Sequence, residues 1–191
     1  KLTLEIRKEI LMKIKNWLGQ YTLNIFAGEP LIHPQIFELI SFASKNRIKT
    51  IITTNGTLLS EQICKKLIDS QLSAMFISID GYRDKTHDYM RGRKGARKMS
   101  ISGLSTMIKL RGKKKTPKIV VESLVTKYNF RELPQLANMV VKLEIEGIIF
   151  QPVTSEYGFG SSEYNPGWHK SKDNLLPSYL EVKPIIEELI D

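Results

Sequence analysis

The chain has 191 residues, enough for one domain with a buried core, and its 41% hydrophobic and 26% charged content is that of an ordinary globular protein. No apolar run of about 18 residues reads as a membrane span, and no basic start with an apolar core and small-residue cleavage site reads as a secretory signal. The net charge of +9 is uneven: residues 83–118 carry 13 Lys and Arg against Asp84 and Asp88, a local +11, so the rest sums to about −2. Such a segment reads either as a solvated helix and loop or as a patch for RNA or another polyanion. The single cysteine, Cys64, excludes an internal disulfide and points to a reducing, cytoplasmic compartment. Its setting, "SEQICKKLID", is that of a half-buried helix thiol.

Strand and helix signals alternate along the chain. "LEIRKEILMKIKNWLG" has an apolar stripe at 6, 10, 14 and 17–18 with Gly19 as its stop, which predicts a helix. "YTLNIFAG" is a strand, and "PQIFELISFASKN" puts Ile36, Ile40 and Ala43 on one helical face. "KTIITTNG" is a β-branched strand ending in turn residues, and Ser60 opens a helix over 61–70. "SAMFISIDG" is a strand, followed by a basic loop and a helix near 96–111. "KIVVESLVT" is the next strand; Asn129 then caps a helix running to Glu146, with Pro134 tolerable near its start. "EGIIFQPV" is the last strand, 154–176 reads as loop, and a final helix is interrupted at Pro184. The alternation predicts an α/β fold with a parallel sheet and right-handed helical crossovers. The strands' nearly continuous apolar runs predict a sheet covered on both faces.

The residues after the strands carry the chemistry: Ala27-Gly28-Glu29-Pro30, Thr53-Thr54-Asn55-Gly56, Ser78-Ile79-Asp80-Gly81, Thr126-Lys127-Tyr128-Asn129 and Gln151-Pro152-Val153-Thr154-Ser155-Glu156. Parallel strands would bring such ends to one rim, where folds of this class place their sites. Acids, amides and hydroxyls there suit a small, polar, partly cationic ligand. Taken singly, Asn-Gly and Asp-Gly are turn dipeptides and Gly-Glu-Pro is a kink. Their order, each after a predicted strand, favours a site.

"FAGEPLIHP", "ITTNGTLLSEQ" and "ISIDGYRDKTHDYMRGRKG", in that order, resemble the radical S-adenosylmethionine (radical SAM) superfamily, over most of 20–155 and most strongly over 24–95. The resemblance implies a partial (β/α)6 barrel that binds S-adenosylmethionine beside a [4Fe–4S] cluster. Reductive cleavage of the cofactor there yields methionine and a 5′-deoxyadenosyl radical that abstracts hydrogen from substrate. It implies that Glu29, with the Ala27–Gly28 backbone and Pro30, receives the cofactor's ammonium. Ala27 stands where the family has a glycine, one methyl that the motif should survive. Ser78 and Asp80 would face the ribose with Thr54 and Asn55 close by, and Arg91 would pair with the cofactor's carboxylate. Backbone near Val125 and from Gln151 to Val153 would border the adenine. His33 reads as packing against its turn and His87 as a loop residue.

The family's defining C-x3-C-x2-C loop has no match, and Cys64, alone and mid-helix, cannot replace it. Because the chain opens at Lys1 inside what resembles the family's first helix, the expectation is a fragment: a radical SAM barrel lacking its first strand, with the cluster ligands upstream of Lys1 and no cleavage by this piece alone. No metal ligands are assigned within it. Residues 1–154 would form the partial barrel and 155–191 a loop and helix extending it, with Trp168 and His169 near its mouth. The resemblance also implies a small-molecule or peptide substrate and an electron donor such as flavodoxin or ferredoxin. An exposed edge near Tyr21–Phe26 predicts a homodimer. The alternative is a non-catalytic degenerate barrel that binds RNA or another polyanion through the basic 83–118 segment.

Overall fold

The computed structural model describes residues 2–114, 116–153 and 175–190. Five strands, in chain order, form one parallel sheet of an α/β fold. The chain divides into two compact units, Lys1–Ser78 with Lys98–Val120 and Ile79–Arg97 with Val121–Asp191.

In the first unit, helix α1 (Leu4–Leu18) starts where the Thr3 hydroxyl accepts the Ile6 N–H and stops at Gly19, whose φ of +77° suits glycine. Strand β1 (Thr22–Ile25) is shorter than the apolar run predicts, because the chain leaves the ladder at Phe26 and turns left-handed at Ala27. Helix α2 (Ile36–Lys45) buries the expected stripe, Ile36, Ile40 and Ala43. Strand β2 (Lys49–Thr54) pairs in parallel with β1, Asn24 opposite Ile51, and with β3 (Ala74–Ser78), Thr54 opposite Ile77. Between them α3 (Glu61–Asp69) is capped by Ser60, whose Oγ accepts the Ile63 N–H. Leu11, Ala43 and Ile48 form a core with Tyr21, Leu23, Leu39 and Phe42 around it. The sheet is not covered evenly: β2 buries alternate residues, whereas β1, at the edge, leaves Thr22 and Asn24 exposed.

Where a basic loop is expected, the second unit has a helix, α4 (Asp84–Arg91), ended by Gly92 in the left-handed conformation. Its apolar content is too low to show periodicity in the sequence; its start is fixed from outside instead, because the Glu132 carboxylate accepts both the Arg83 N–H (2.9 Å) and the Thr86 hydroxyl (2.6 Å). Helix α5 (Ala96–Arg111) follows, begun by Asp88, which accepts the Gly95 and Arg97 N–H groups. Strand β4 (Lys118–Val125) crosses from one unit to the other by sequence.

Helix α6 (Leu133–Lys142) starts later and ends earlier than the span from Asn129 to Glu146. A short 3-10 turn, Phe130–Glu132, precedes it, and Glu144 takes a positive φ just after it. Strand β5 (Gly147–Pro152) and helix α7 (Tyr179–Ile190) complete the second unit; α7 continues through Pro184 rather than breaking there. No helix among the described residues is long and apolar enough to cross a membrane.

Candidate active site

Each unit gathers one cluster from the residues that follow its strands. In the first unit, β1 runs into Ala27 and Gly28, with φ of +76° and +64°. Glycine adopts that conformation freely, whereas an alanine pays about 1 kcal/mol or more for it. The extra methyl of Ala27 is thus accommodated with backbone strain rather than at no cost. A Cβ on Gly28 would meet nothing within 4 Å, so the space beside it is open.

Glu29 comes next, half-buried. Its Oε1 accepts the Leu31 N–H (3.2 Å), capping the 3-10 turn Pro30–Ile32, and the Thr54 hydroxyl (2.8 Å). Its Oε2 accepts the Asn55 N–H (2.9 Å). Pro30, at the first position of that turn, has no N–H to orphan. The carboxylate therefore joins the ends of β1 and β2 through three neutral donors. Among the described residues no Lys or Arg pairs with it, and Oε2 keeps room for a further donor.

Thr54 is only 1% exposed and acts as a relay, donating to Glu29 while its Oγ1 accepts the Gly56 N–H (3.1 Å). Asn55 is tied down as well: Oδ1 accepts the Thr57 N–H and hydroxyl (2.8 and 2.7 Å), and its carbonyl accepts the Ser100 hydroxyl (2.7 Å). The turn is tight, for a Cβ on Gly56 would lie 2.6 Å from Ile77 Cδ1 and one on Gly103 2.6 Å from the Gly56 carbonyl. Ser78 is half-buried at the end of β3, one residue past Ile77, which pairs with Thr54. His33 closes the 3-10 turn Pro30–Ile32: Nε2 is 2.7 Å from Arg7 Nη1, and Nδ1 accepts the Gln35 N–H (3.2 Å).

The second unit centres on Asp80, which is 3% exposed and has every polar atom engaged. Oδ1 accepts the Leu124 N–H (2.9 Å), and Oδ2 forms an ion pair with Arg91 Nη2 (2.7 Å). The Asp80 N–H donates to His87 Nδ1 (3.1 Å), and its carbonyl accepts Asn129 Nδ2 (2.6 Å). Burial pushes the Asp80 carboxyl up, against the charge of Arg91 and the Leu124 N–H, which pull it down. Near Asp80 and Arg91, Glu122 on β4 is also pushed up, chiefly by burial.

Asn129 stands at the N-cap position of the 3-10 turn Phe130–Glu132, but its side chain makes no capping bond there. Fully buried, it accepts the Thr126 N–H (2.7 Å) and hydroxyl (3.1 Å) at Oδ1 and donates from Nδ2 to the Asp80 and Leu124 carbonyls (2.6 Å each). It thereby binds the segment after β3 to the end of β4. The Val125 carbonyl accepts the Val153 N–H (3.4 Å), so these two positions meet as the ladder's last rung; Val153 is buried and Gln151 half-buried.

His87, Glu122 and Glu132 were not among the site residues expected from sequence, and Asn129, though in one of the clusters after the strands, was read as a helix cap. A glutamate inside the apolar run "KIVVESLVT" is the signal that points to Glu122. Of the basic segment, Arg91 pairs with Asp80, Arg97 with Asp84 and the Gly81 carbonyl, and buried Arg111 donates to the Pro117 carbonyl. Trp168, His169 and most of 155–176 lie outside the described residues.

Among the described residues no three His, Cys, Asp or Glu are grouped to hold a metal ion. Cys64 is buried, its thiol pushed up to about 11 by that burial, which makes it a poor thiolate. These residues do not fit an iron–sulfur cluster.

Compared with known proteins, residues 1–140 match the model of the Radical SAM superfamily. The AdoMet-dependent heme synthase of Methanosarcina barkeri is 27% identical over 166 residues, 86% of this chain and 46% of that protein. The Fe-coproporphyrin III synthase of the same organism is 31% identical over 132 residues, 69% of this chain and 32% of that protein. The chain thus spans less than half the length of these two curated relatives. Among solved structures, Streptococcus suis SuiB bound to S-adenosylmethionine superposes with a TM-score of 0.72 at 17% identity, covering 97% of this chain and 39% of that one. SuiB has also been solved with its precursor peptide SuiA, at a TM-score of 0.65 and 18% identity, covering 87% of this chain and 39% of that one.

Proposed function

The chain belongs to the radical SAM superfamily, whose members use S-adenosylmethionine and a [4Fe–4S] cluster, and from that premise we propose that it is the cofactor-binding part of a radical SAM enzyme. The carrying observation is Glu29: a carboxylate with three neutral donors, no Lys or Arg partner among the described residues, and spare acceptor capacity on Oε2, beside the open face of Gly28. That combination fits the ammonium of S-adenosylmethionine, which brings the missing positive charge and further N–H donors. Thr54 and the Asn55 N–H orient the carboxylate, and the Asn55 and Ser78 side chains offer polar edges at the adjoining strand ends.

Ser78, half-buried at the end of β3, would meet the ribose hydroxyls; in the second unit Arg91, partly exposed and held by buried Asp80, would receive the cofactor's carboxylate, and the Val125 and Gln151–Val153 backbone would border the adenine. S-adenosylmethionine held by these residues would supply the family's hydrogen-abstracting chemistry once the whole protein delivers an electron to it. This chain's residues would bind the cofactor and orient it. The cluster's ligands are not among the described residues.

The substrate is a small molecule or a peptide, the two kinds of partner named for the matched relatives, and the reductant a protein such as flavodoxin or ferredoxin. β1, at the sheet edge with Phe26 64% exposed just beyond it, would pair with a second copy; a monomer by sedimentation would count against that. The test is anaerobic reconstitution of the whole protein from its reading frame with iron and sulfide. Release of 5′-deoxyadenosine on reduction supports the reading. Tight, salt-sensitive polyanion binding with no 5′-deoxyadenosine overturns it in favour of a polyanion-binding module built on the basic 83–118 segment.

A further inference from the structure

Strand β4 carries one acid in an otherwise apolar run, and alternation sets which way it points. Val121 and Ser123 are fully buried, so Glu122 and Leu124 lie on the opposite side of the sheet, where Leu124 is 38% exposed and Glu122 half-buried. On the neighbouring strand β5, Ile149 is 42% exposed, so this part of the sheet leaves room for a ligand. The oxygens of Asp80, Asp88 and Glu132 are all taken within the protein. The Glu122 carboxyl has no hydrogen bond or ion pair among the described residues. Burial pushes it up, with Arg91 pulling against that and the Asp80 charge adding to it. The backbone beneath it is fixed: the Glu122 carbonyl accepts the Ile79 N–H (3.0 Å), and Asp80 Oδ1 holds the Leu124 N–H (2.9 Å). A half-buried acid on a rigid strand with its lone pairs unused costs stability, and a donor brought by a ligand would account for it.

We propose that Glu122 is a cofactor-binding residue whose carboxylate accepts hydrogen bonds from the ribose hydroxyls of S-adenosylmethionine. This rests on the reading that Arg91 receives the cofactor's carboxylate and the Val125 backbone borders its adenine. The ribose joins those two ends covalently, and Glu122 stands near Arg91 and three residues before Val125 on one strand. A vicinal diol offers two neutral donors side by side, which one carboxylate accepts together, as acidic residues do for the ribose of dinucleotides. An ammonium fits less well there, because the charge of Arg91 is already close by.

The experiment is equilibrium binding of 5′-deoxyadenosine and of 2′,3′,5′-trideoxyadenosine, which lacks the ribose hydroxyls, to the whole protein. The wild type should favour the first by about tenfold or more, the weight of a charge-assisted hydrogen bond. Glu122→Leu should lower that ratio by about tenfold and leave the affinity for trideoxyadenosine as it was. Glu122→Gln, which keeps one acceptor oxygen without the charge, should fall between. A ratio unchanged in Glu122→Leu overturns the inference and leaves the adenine and Arg91 contacts standing. A wild type that binds both nucleosides equally overturns the placement of the ribose, and the inference with it. Denaturant unfolding gives the second readout: Glu122→Leu should unfold no earlier than the wild type, because no bond to the carboxyl is lost. Earlier unfolding overturns the inference by showing the carboxyl bonded within the protein.

Discussion

The acids at the heart of the two clusters are held in opposite ways. Glu29 is half-buried and braced by a hydroxyl and two backbone N–H groups, with no Lys or Arg partner among the described residues. Asp80 is buried, with Arg91 on one oxygen, a backbone N–H on the other and its own peptide clamped at both ends. A carboxylate left without a counter-charge near water can await a cationic ligand, because its own solvation is still partly in place. A carboxylate taken out of water needs its partners built in, since an unpaired buried charge costs several kcal/mol. The first cluster is thus arranged to gain a charge partner and the second to present a fixed geometry.

The largest break in that comparison is Asn129→Ala. It removes four buried hydrogen bonds and leaves the Asp80 and Leu124 carbonyls and the Thr126 N–H without their Asn129 partners. A loss of about 4 kcal/mol in denaturant unfolding is expected, with amide exchange rising first around Asp80 and Leu124. Acid comes next. Burial first, then the charges of Arg91 and Arg97 against the opposing pull of Asp88 and Asp84, lower the His87 pKa from 6.5 to about 4.

Above pH 6.5 the ring is neutral in both folded and unfolded chains and contributes no slope. As pH falls from 6.5 towards 4 the unfolded chain takes up a proton that the folded one refuses. Stability therefore declines by about 3 kcal/mol across that window and levels off below it. Asp80, whose carboxyl is pushed up, works in the opposite direction at low pH, so the His87 share is read as the difference between the wild type and His87→Leu titrated side by side.

The contrast also marks what could be read from sequence. Alternation of strands and helices, the Ser60 cap and the buried stripe of α2 follow from periodicity and local capping, and the structure has them. The Glu-Pro turn and the Asn-Gly turn were legible as a pair because each directly follows a strand. Helix α4 was not, since "DKTHDYMR" is mostly polar and its first turn is held by Glu132, 46 residues beyond Thr86. Nor was the role of Asn129. An asparagine before a helical pattern reads as a cap, but here its amide is drawn to the Asp80 carbonyl, 49 residues back in sequence. What escaped was the long-range polar pairing, which leaves no periodic trace.

Glu29→Gln sharpens the other side. One oxygen becomes an NH2 group that either faces the Asn55 N–H or displaces the bonds to Thr54 and Leu31. The stability cost should be about 1–2 kcal/mol, less than for Asn129→Ala, because the site is half-exposed and water can substitute. The affinity for S-adenosylmethionine, measured by calorimetry on the whole protein, should fall by about tenfold or more with the loss of the ammonium's counter-charge. An unchanged affinity would remove Glu29 from the binding surface and leave it a brace between β1 and β2.

The smallest expected effect has the opposite sign. Ala27 holds a φ of +76° that glycine would adopt without strain. Relief of roughly 1–2 kcal/mol in Ala27→Gly is offset by roughly 0.5–1 kcal/mol of extra freedom in the unfolded chain, so denaturant titration should show a net gain of about 0.5–1 kcal/mol. Ala27→Val, β-branched and strained at the same φ, should lose more than that. If Ala27→Gly raises stability without changing affinity for S-adenosylmethionine, the methyl is tolerated strain in a turn whose geometry Glu29 and Thr54 already enforce. If affinity rises as well, the methyl stands in the space that the open face of Gly28 otherwise leaves to the ligand.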